Sequence, residues 1–127
     1  MRKNISSGTE WENNVGYSRA VRIGSVIEVS GTVAFNGNKV IGENDEYIQT
    51  KYILEKIGKA LIDAGATLKD VVRTRIYLKN ISKWNGVAKA HREIFNEIKP
   101  ATTMVEVNAL ISPEFLVEIE ATAILNK

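Results

Sequence analysis

The chain contains no cysteine. Disulfides, thiolate metal sites and cysteine nucleophiles are thereby excluded. Histidine is nearly absent: His91 is the only one, which rules out multi-histidine metal sites and leaves a Ser-His-Asp triad dependent on one residue. Charge of one sign is lacking as well. The 17 basic and 15 acidic residues are interspersed for a net charge of +2, so nothing electrostatic points to nucleic acid or a membrane surface. No stretch approaches the roughly 20 apolar residues of a membrane span. The N-terminal Met1-Arg-Lys-Asn-Ile-Ser-Ser-Gly8 has no apolar core of signal-peptide length. Glycine-rich phosphate loops are missing, and Asn36-Gly37-Asn38 lacks the repeated carboxylates of a calcium loop. What is present is ordinary for a cytoplasmic globular protein: 127 residues, 44% apolar and 25% charged, enough for one domain with a real core.

Local patterns give an element order. Residues 1–15 are polar and are expected to lie loosely on the surface. Tyr17–Ile23 and Val26–Ser30 flank Gly24-Ser25, a hairpin signal. Gly31 interrupts the second strand, which suggests a bulge or a close backbone approach. Asn36-Gly37-Asn38 predicts a turn into a short strand, Lys39–Ile41. Asp45 is placed to cap a helix over 46–64, whose stripe is Ile53, Leu54, Ile57, Ala60, Leu61 and Ala64. Gly65 suits its C-terminal end. Residues 70–78 alternate, with Val72, Thr74, Ile76 and Leu78 opposite Val71, Arg73, Arg75 and Tyr77. A second helix is expected over 81–98, capped by Asn80 or Ser82, with Trp84, Val87, Ala88 and His91 on its stripe and Lys99-Pro100 as its stop. Strands at 100–107 and 115–124 complete a β-β-β-α-β-α-β-β order. Two helices on one face of a mixed sheet make an α+β two-layer sandwich.

The other sheet face carries charge. Glu118, Glu120 and Thr122 alternate with the apolar Phe115, Val117, Ile119, Ala121 and Ala123. With Arg73, Arg75, Tyr77, Val71, Met104 and Glu106 they form one surface. A solvated sheet face accounts for this pattern, its Arg–Glu pairs adding about 0.2–1 kcal/mol each. A face covered by a second subunit accounts for it equally, and a paired carboxylate near a subunit cleft is where a perturbed acid does chemistry. His91 reads as a packed, hydrogen-bonded side chain, and Trp84 as a core or rim anchor. Ser6, Ser7 and Ser18 have no base at a useful spacing.

Six segments together carry a family resemblance: Gly16-Tyr17-Ser18, Val29-Ser30-Gly31, Gln49-Thr50, Ala64-Gly-Ala-Thr-Leu-Lys-Asp-Val-Val72, Pro100-Ala101 with Met104-Val-Glu-Val107, and Val117-Glu-Ile-Glu-Ala121. In this order and spacing, over residues 16–124, the chain resembles the RidA/YjgF family of reactive-intermediate deaminases, also called endoribonuclease L-PSP-like. The resemblance implies a chorismate-mutase-like fold and a homotrimer whose uncovered sheet faces line a central barrel. It implies three small-molecule clefts between subunits and hydrolysis of enamines or imines to a 2-keto acid and ammonia, without a cofactor.

The resemblance also assigns site residues. Glu118 corresponds to the glutamate that positions water or moves a proton. Tyr17 and Gly31 correspond to cleft residues. Thr102 stands where deaminating members carry the arginine that grips the substrate carboxylate, so the family's usual activity is not expected to carry over intact. Ala88 replaces an amide. Arg75 is the candidate for a relocated positive charge, its alternative being a pair with Glu118 or Glu120 inside the barrel. Besides the hydrolase reading, a non-catalytic trimer binding a small carboxylic acid stays open. Ribonuclease activity or translation inhibition, attributed to some relatives, has little support in the balanced charge.

Overall fold

The computed structural model describes residues 1–126. Its strands are β1 (Arg2–Ile5), β2 (Ala20–Ile23), β3 (Val26–Thr32), β4 (Val71–Leu78), β5 (Ala101–Glu106) and β6 (Val117–Ile124), and its α-helices are α1 (Glu10–Val15), α2 (Glu46–Asp63) and α3 (Trp84–Phe95). One six-stranded sheet runs β1-β2-β3-β6-β4-β5. Only β4 and β5 are parallel; the other neighbours are antiparallel. The fold is therefore the expected α+β class with a mixed sheet, and no helix among the described residues is long and apolar enough to cross a membrane.

α2 forms where its caps and stripe dictate. Asp45 sits in extended backbone and its carboxylate accepts from the Ile48 amide at 3.0 Å. Ile53, Leu54, Ile57 and Leu61 are fully buried against β3 and β6. Gly58 permits close packing, since a Cβ there would lie 3.2 Å from Leu68. The last turn of α2 has no basic residue of its own. Two strand residues serve its carbonyl end instead: Lys3 donates to Asp63 O at 3.0 Å and Arg22 to Ala64 O at 2.8 Å. From β6, Val117, Ile119, Ala121 and Ala123 all enter the core, as their alternation required.

Four expectations need correction. Residues 1–15 are not loose: they hold β1, which pairs with β2, and α1. The anchor is Glu12, buried among hydroxyls and amides of residues 6–9, a pattern with no apolar signature. Residues 39–41 make no strand; a single bridge joins Phe35 to Val40, because four of the six residues from 36 to 41 serve the turn and its polar contacts. In β4 the register slips between Val71 and Arg73, and this bulge turns Val71 into the core and Val72 out. The second helix begins as a 3-10 turn at Ile81–Lys83 and ends at Phe95, with Lys99 at φ 52 before Pro100. Trp84 consequently lies half exposed and anchors no core.

Candidate functional site

A cleft of about 1360 Å³ opens beside β3 and β6. Its walls come from the N-terminal segment around Ser7 and Trp11, from Tyr17 and Arg19, from Gly31 to Gly37, from Lys56 of α2, from residues 109–111, and from Glu118 and Glu120 of β6. Each wall has a local cause. Glu118 and Glu120 face away from the helices because Val117 and Ile119 face them. Gly31 lies at a slip in the β3–β6 register between Val29 and Thr32. A Cβ on Gly31 would run into the Glu118 carboxylate. Glycine is therefore needed there for close approach, and the sequence expectation of a bulge and that of a close approach both hold.

Glu118 is half-buried, and its carboxyl is pushed above the ordinary value by burial first and by the neighbouring Glu120 second, with Arg19 opposing. A carboxyl pushed upward by burial binds its proton more firmly than a solvated one, which favours an acid and base role in a cleft. Tyr17 stands nearby with its hydroxyl accepting from Arg19 Nη2 at 3.2 Å, which leaves the phenolic O–H free to donate.

Arg19 organises this wall, and sequence reasoning did not single it out. It is 8% exposed. Its Nη1 donates to Gly31 O at 3.0 Å and Thr32 Oγ1 at 2.8 Å, and its guanidinium lies 5.6 Å from the Tyr17 ring centroid. Its Nε has no hydrogen-bond partner among the described residues and stands 3.8 Å from Glu12 Oε2. Glu12 in turn accepts from Ser6 Oγ at 2.8 Å, from the Ser7 amide at 3.2 Å, and from the Ser7 hydroxyl. Burial works to raise the Glu12 carboxyl, but the Ser7 and Ser6 hydrogen bonds outweigh it and hold the group low. Arg19 therefore enters the cleft with its charge largely answered by Glu12.

Lys56 is the second residue the sequence did not flag, since it lies on the flank of the α2 stripe and reads as a solvated charge. Its Nζ donates to Phe35 O at 2.8 Å and Val33 O at 3.2 Å. Burial, then the charge of Arg19, lower it to about 8, with Glu12 opposing.

The other two expected site residues lie elsewhere on the single chain. Arg75 is opposite Glu120 in the β4–β6 register, its Nε 3.8 Å from Glu120 Oε1. Tyr77 also donates to Glu120, at 3.0 Å. Arg75 thus pairs with Glu120 and is not part of the cleft wall. Thr102 lies in β5, opposite Thr74, and so turns toward the helix layer. Its hydroxyl meets Thr74 Oγ1 at 2.8 Å, and Thr74 Oγ1 meets His91 Nε2 at 2.9 Å. His91 is the hydrogen-bonded side chain expected, and burial lowers its pKa. The parallel register also corrects the composition of the uncovered face: Thr103 and Val105 lie beside Arg75 and Tyr77 there. Met104 packs on the core, and Glu106 accepts from the Ile81 amide at 2.9 Å.

Among the described residues no cluster of His, Asp or Glu could hold a metal ion. What the cleft offers is one acid shifted toward neutrality, one phenol and two cations, a set suited to adding water across a polarised double bond.

Known proteins resemble the chain in sequence and in fold. The family model for Endoribonuclease L-PSP matches residues 8–125. The chain is 38% identical to a RutC family protein of Pyrococcus abyssi, over 84% of each chain. It is 32% identical to the 3-aminoacrylate deaminase RutC of Acinetobacter baylyi, over 84% of this chain and 85% of the other. A crystal structure of a YjgF-family member from Mycobacterium tuberculosis superposes with a TM-score of 0.91 at 50% identity, covering 98% of this chain and all of that one.

Proposed function

The chain belongs to the endoribonuclease L-PSP family, the family of the RidA and YjgF proteins, and from that premise we propose that it hydrolyses a small imine or enamine, with Glu118 as acid and base. The observation that carries this reading is the Glu118 carboxyl, half-buried, raised by burial and Glu120, and set against Gly31 in the cleft. Glu118 takes a proton from water as the oxygen attacks the carbon of the C=N bond. It returns that proton to the nitrogen, and the hydroxyl proton then passes through Glu118 to the same nitrogen as the C–N bond breaks, so that ammonia leaves and the keto product remains. Tyr17 donates its hydroxyl hydrogen to the ligand, and the Gly31 backbone forms the floor. The deaminase named among the relatives acts on a small amino-acrylate, which fits this class of substrate.

The working unit in this reading is a homotrimer. Two observations support it. The uncovered face carries Arg73, Arg75, Tyr77, Thr103 and Val105 beside β5, an edge strand exposed along most of its length. And the cleft is larger than the roughly 300–1,000 Å³ of a small-molecule pocket, leaving room for a neighbouring chain to close it. Thr102, on that edge strand, then orients the ligand of an adjoining cleft with one hydroxyl and no charge.

The test generates iminopyruvate in situ and follows release of the keto acid. Wild-type protein should exceed the spontaneous rate, and Glu118→Gln should return to it with the fold intact. A wild-type rate equal to the spontaneous one would reject imine hydrolysis of this substrate class.

A further inference from the structure

We propose that Lys56 is the group that holds the carboxylate of the ligand in this cleft. The inference rests on the hydrolase reading above and names the cation which that reading lacks, since Thr102 brings no charge. It follows from assigning the charges of the cleft wall, of which Glu10 is solvent-exposed. Arg19 is answered by Glu12 at 3.8 Å, and its two Nη groups are already given to Gly31, Thr32 and Tyr17. Glu120 is held by Tyr77 and Arg75. Lys56 remains. Its ammonium faces two backbone carbonyls, Val33 and Phe35, and among the described residues it makes no ion pair. An ammonium has three donors; two go to these carbonyls and the Tyr52 ring centroid lies 5.8 Å away, so none is given to an anion.

The position is suited to the task. The carbonyls that Lys56 holds belong to the segment that follows Gly31 along the chain, and Gly31 touches Glu118. Arg19 lies close enough to bear on both groups, lowering Lys56 and Glu118 alike. The cleft therefore presents an unpaired cation and an unpaired acid around one arginine. A 2-imino acid, or the 2-oxo acid it becomes, has the complementary pair: a carboxylate for the ammonium, and next to it a C=N or C=O for the acid. A half-buried ammonium with no direct ion pair, supported only through space by Glu12, is costly to keep. An anionic ligand relieves that cost, which is a reason for affinity beyond hydrogen-bond count.

Pyruvate and its uncharged methyl ester are the probes, titrated into the full chain by calorimetry. Wild-type protein should bind pyruvate more tightly than methyl pyruvate. Lys56→Gln should weaken pyruvate by about 10- to 100-fold, the worth of a charge-assisted hydrogen bond, and leave the ester unchanged; Lys56→Arg should restore much of the difference. In wild-type protein labelled at lysine, the Lys56 Nζ resonance should move on adding pyruvate and stay still on adding the ester, a readout independent of whether any variant folds. Pyruvate affinity within twofold of wild type in a folded Lys56→Gln, or an unmoved Nζ resonance at saturating pyruvate, overturns the assignment. If iminopyruvate is still hydrolysed in that case, only the role of Lys56 falls. If wild-type protein neither binds pyruvate nor hydrolyses the imine, the hydrolase reading falls and takes this inference with it.

Discussion

Substituting Gly31 by alanine should separate stability from function in this molecule. A Cβ at that position would lie 3.1 Å from Glu118 Cδ and 3.4 Å from its Cγ, and closer still to Oε2. The obstacle is the far end of a flexible side chain, so Glu118 swings aside rather than the backbone. An off-rotamer glutamate costs about 0.5–1.5 kcal/mol. Gly31 has no positive φ, so alanine fits its backbone and returns about 0.4–1 kcal/mol by restricting the unfolded chain. The two effects nearly cancel. At about 3–6 °C per kcal/mol for a chain of this size, the melting temperature should move by no more than a few degrees. Activity should not survive so well. Glu118 pushed outward loses its burial and its place against Gly31 in the cleft, and a misplaced general acid–base costs about 10²- to 10⁴-fold in rate. The direct check is the Glu118 carboxyl followed by ¹³C NMR: in wild type it titrates above the ordinary value, and in Gly31→Ala it should fall back toward it. A folded Gly31→Ala protein with wild-type turnover and an unmoved Glu118 titration would refute the claim that glycine is there for the carboxylate.

Three further outcomes follow from the buried polar groups. Thr74 is fully buried between Thr102 and His91; Thr74→Val should leave the His91 nitrogen unpaired and cost about 1–3 kcal/mol, read as a lower urea midpoint with unchanged m-value. Glu12 is held low, so its share of stability is present above the ordinary carboxylate value of 4.5 and is lost as pH falls through its folded value; Glu12→Gln should therefore be least stable relative to wild type at neutral pH, with the gap closing in urea melts taken toward pH 3. Glu118 has the opposite sign. Raised in the folded state, it contributes stability below 4.5 that is lost as pH rises through its folded value, so Glu118→Gln should gain on wild type as urea midpoints are compared from pH 4 to pH 8.

Periodic segments declared themselves in the sequence. The α2 stripe with its Asp45 cap and the strict alternation of β6 need only local rules, and both stand as expected. What the sequence withheld depends on register or on partners far along the chain. One slipped residue between Val71 and Arg73 reverses the faces of its neighbours. The facing of Thr102 and Met104 depends on parallel pairing with β4, which no local pattern encodes. Residues 2–5 look like a tail because three of the four are polar and exposed, and their strand exists only through β2. Within the site, Glu118 was legible as a carboxylate on the outward face of an apolar strand, and Gly31 as an interruption. Arg19 and Lys56 were not, because a single cation in a strand or on a helix flank looks like any solvated charge until its burial is known.

The place of β6 in the sheet has a consequence for how the molecule is made. β1, β2 and β3 form one block and β4 and β5 another, and within the sheet the two blocks meet only through β6, the last strand in sequence. During synthesis both blocks emerge first and wait. The central seam, which holds Ile119, Ala121 and the glutamate of the cleft, is filled only when the final strand inserts between strands laid down up to 98 residues earlier, as in the Val26–Ile124 pair. Such late, long-range closure makes for slow assembly and for an interval in which two half-sheets expose unpaired edges. Shortening the chain by this one strand would leave two half-sheets joined only through the helix layer, since α2 packs on β3 and on α3.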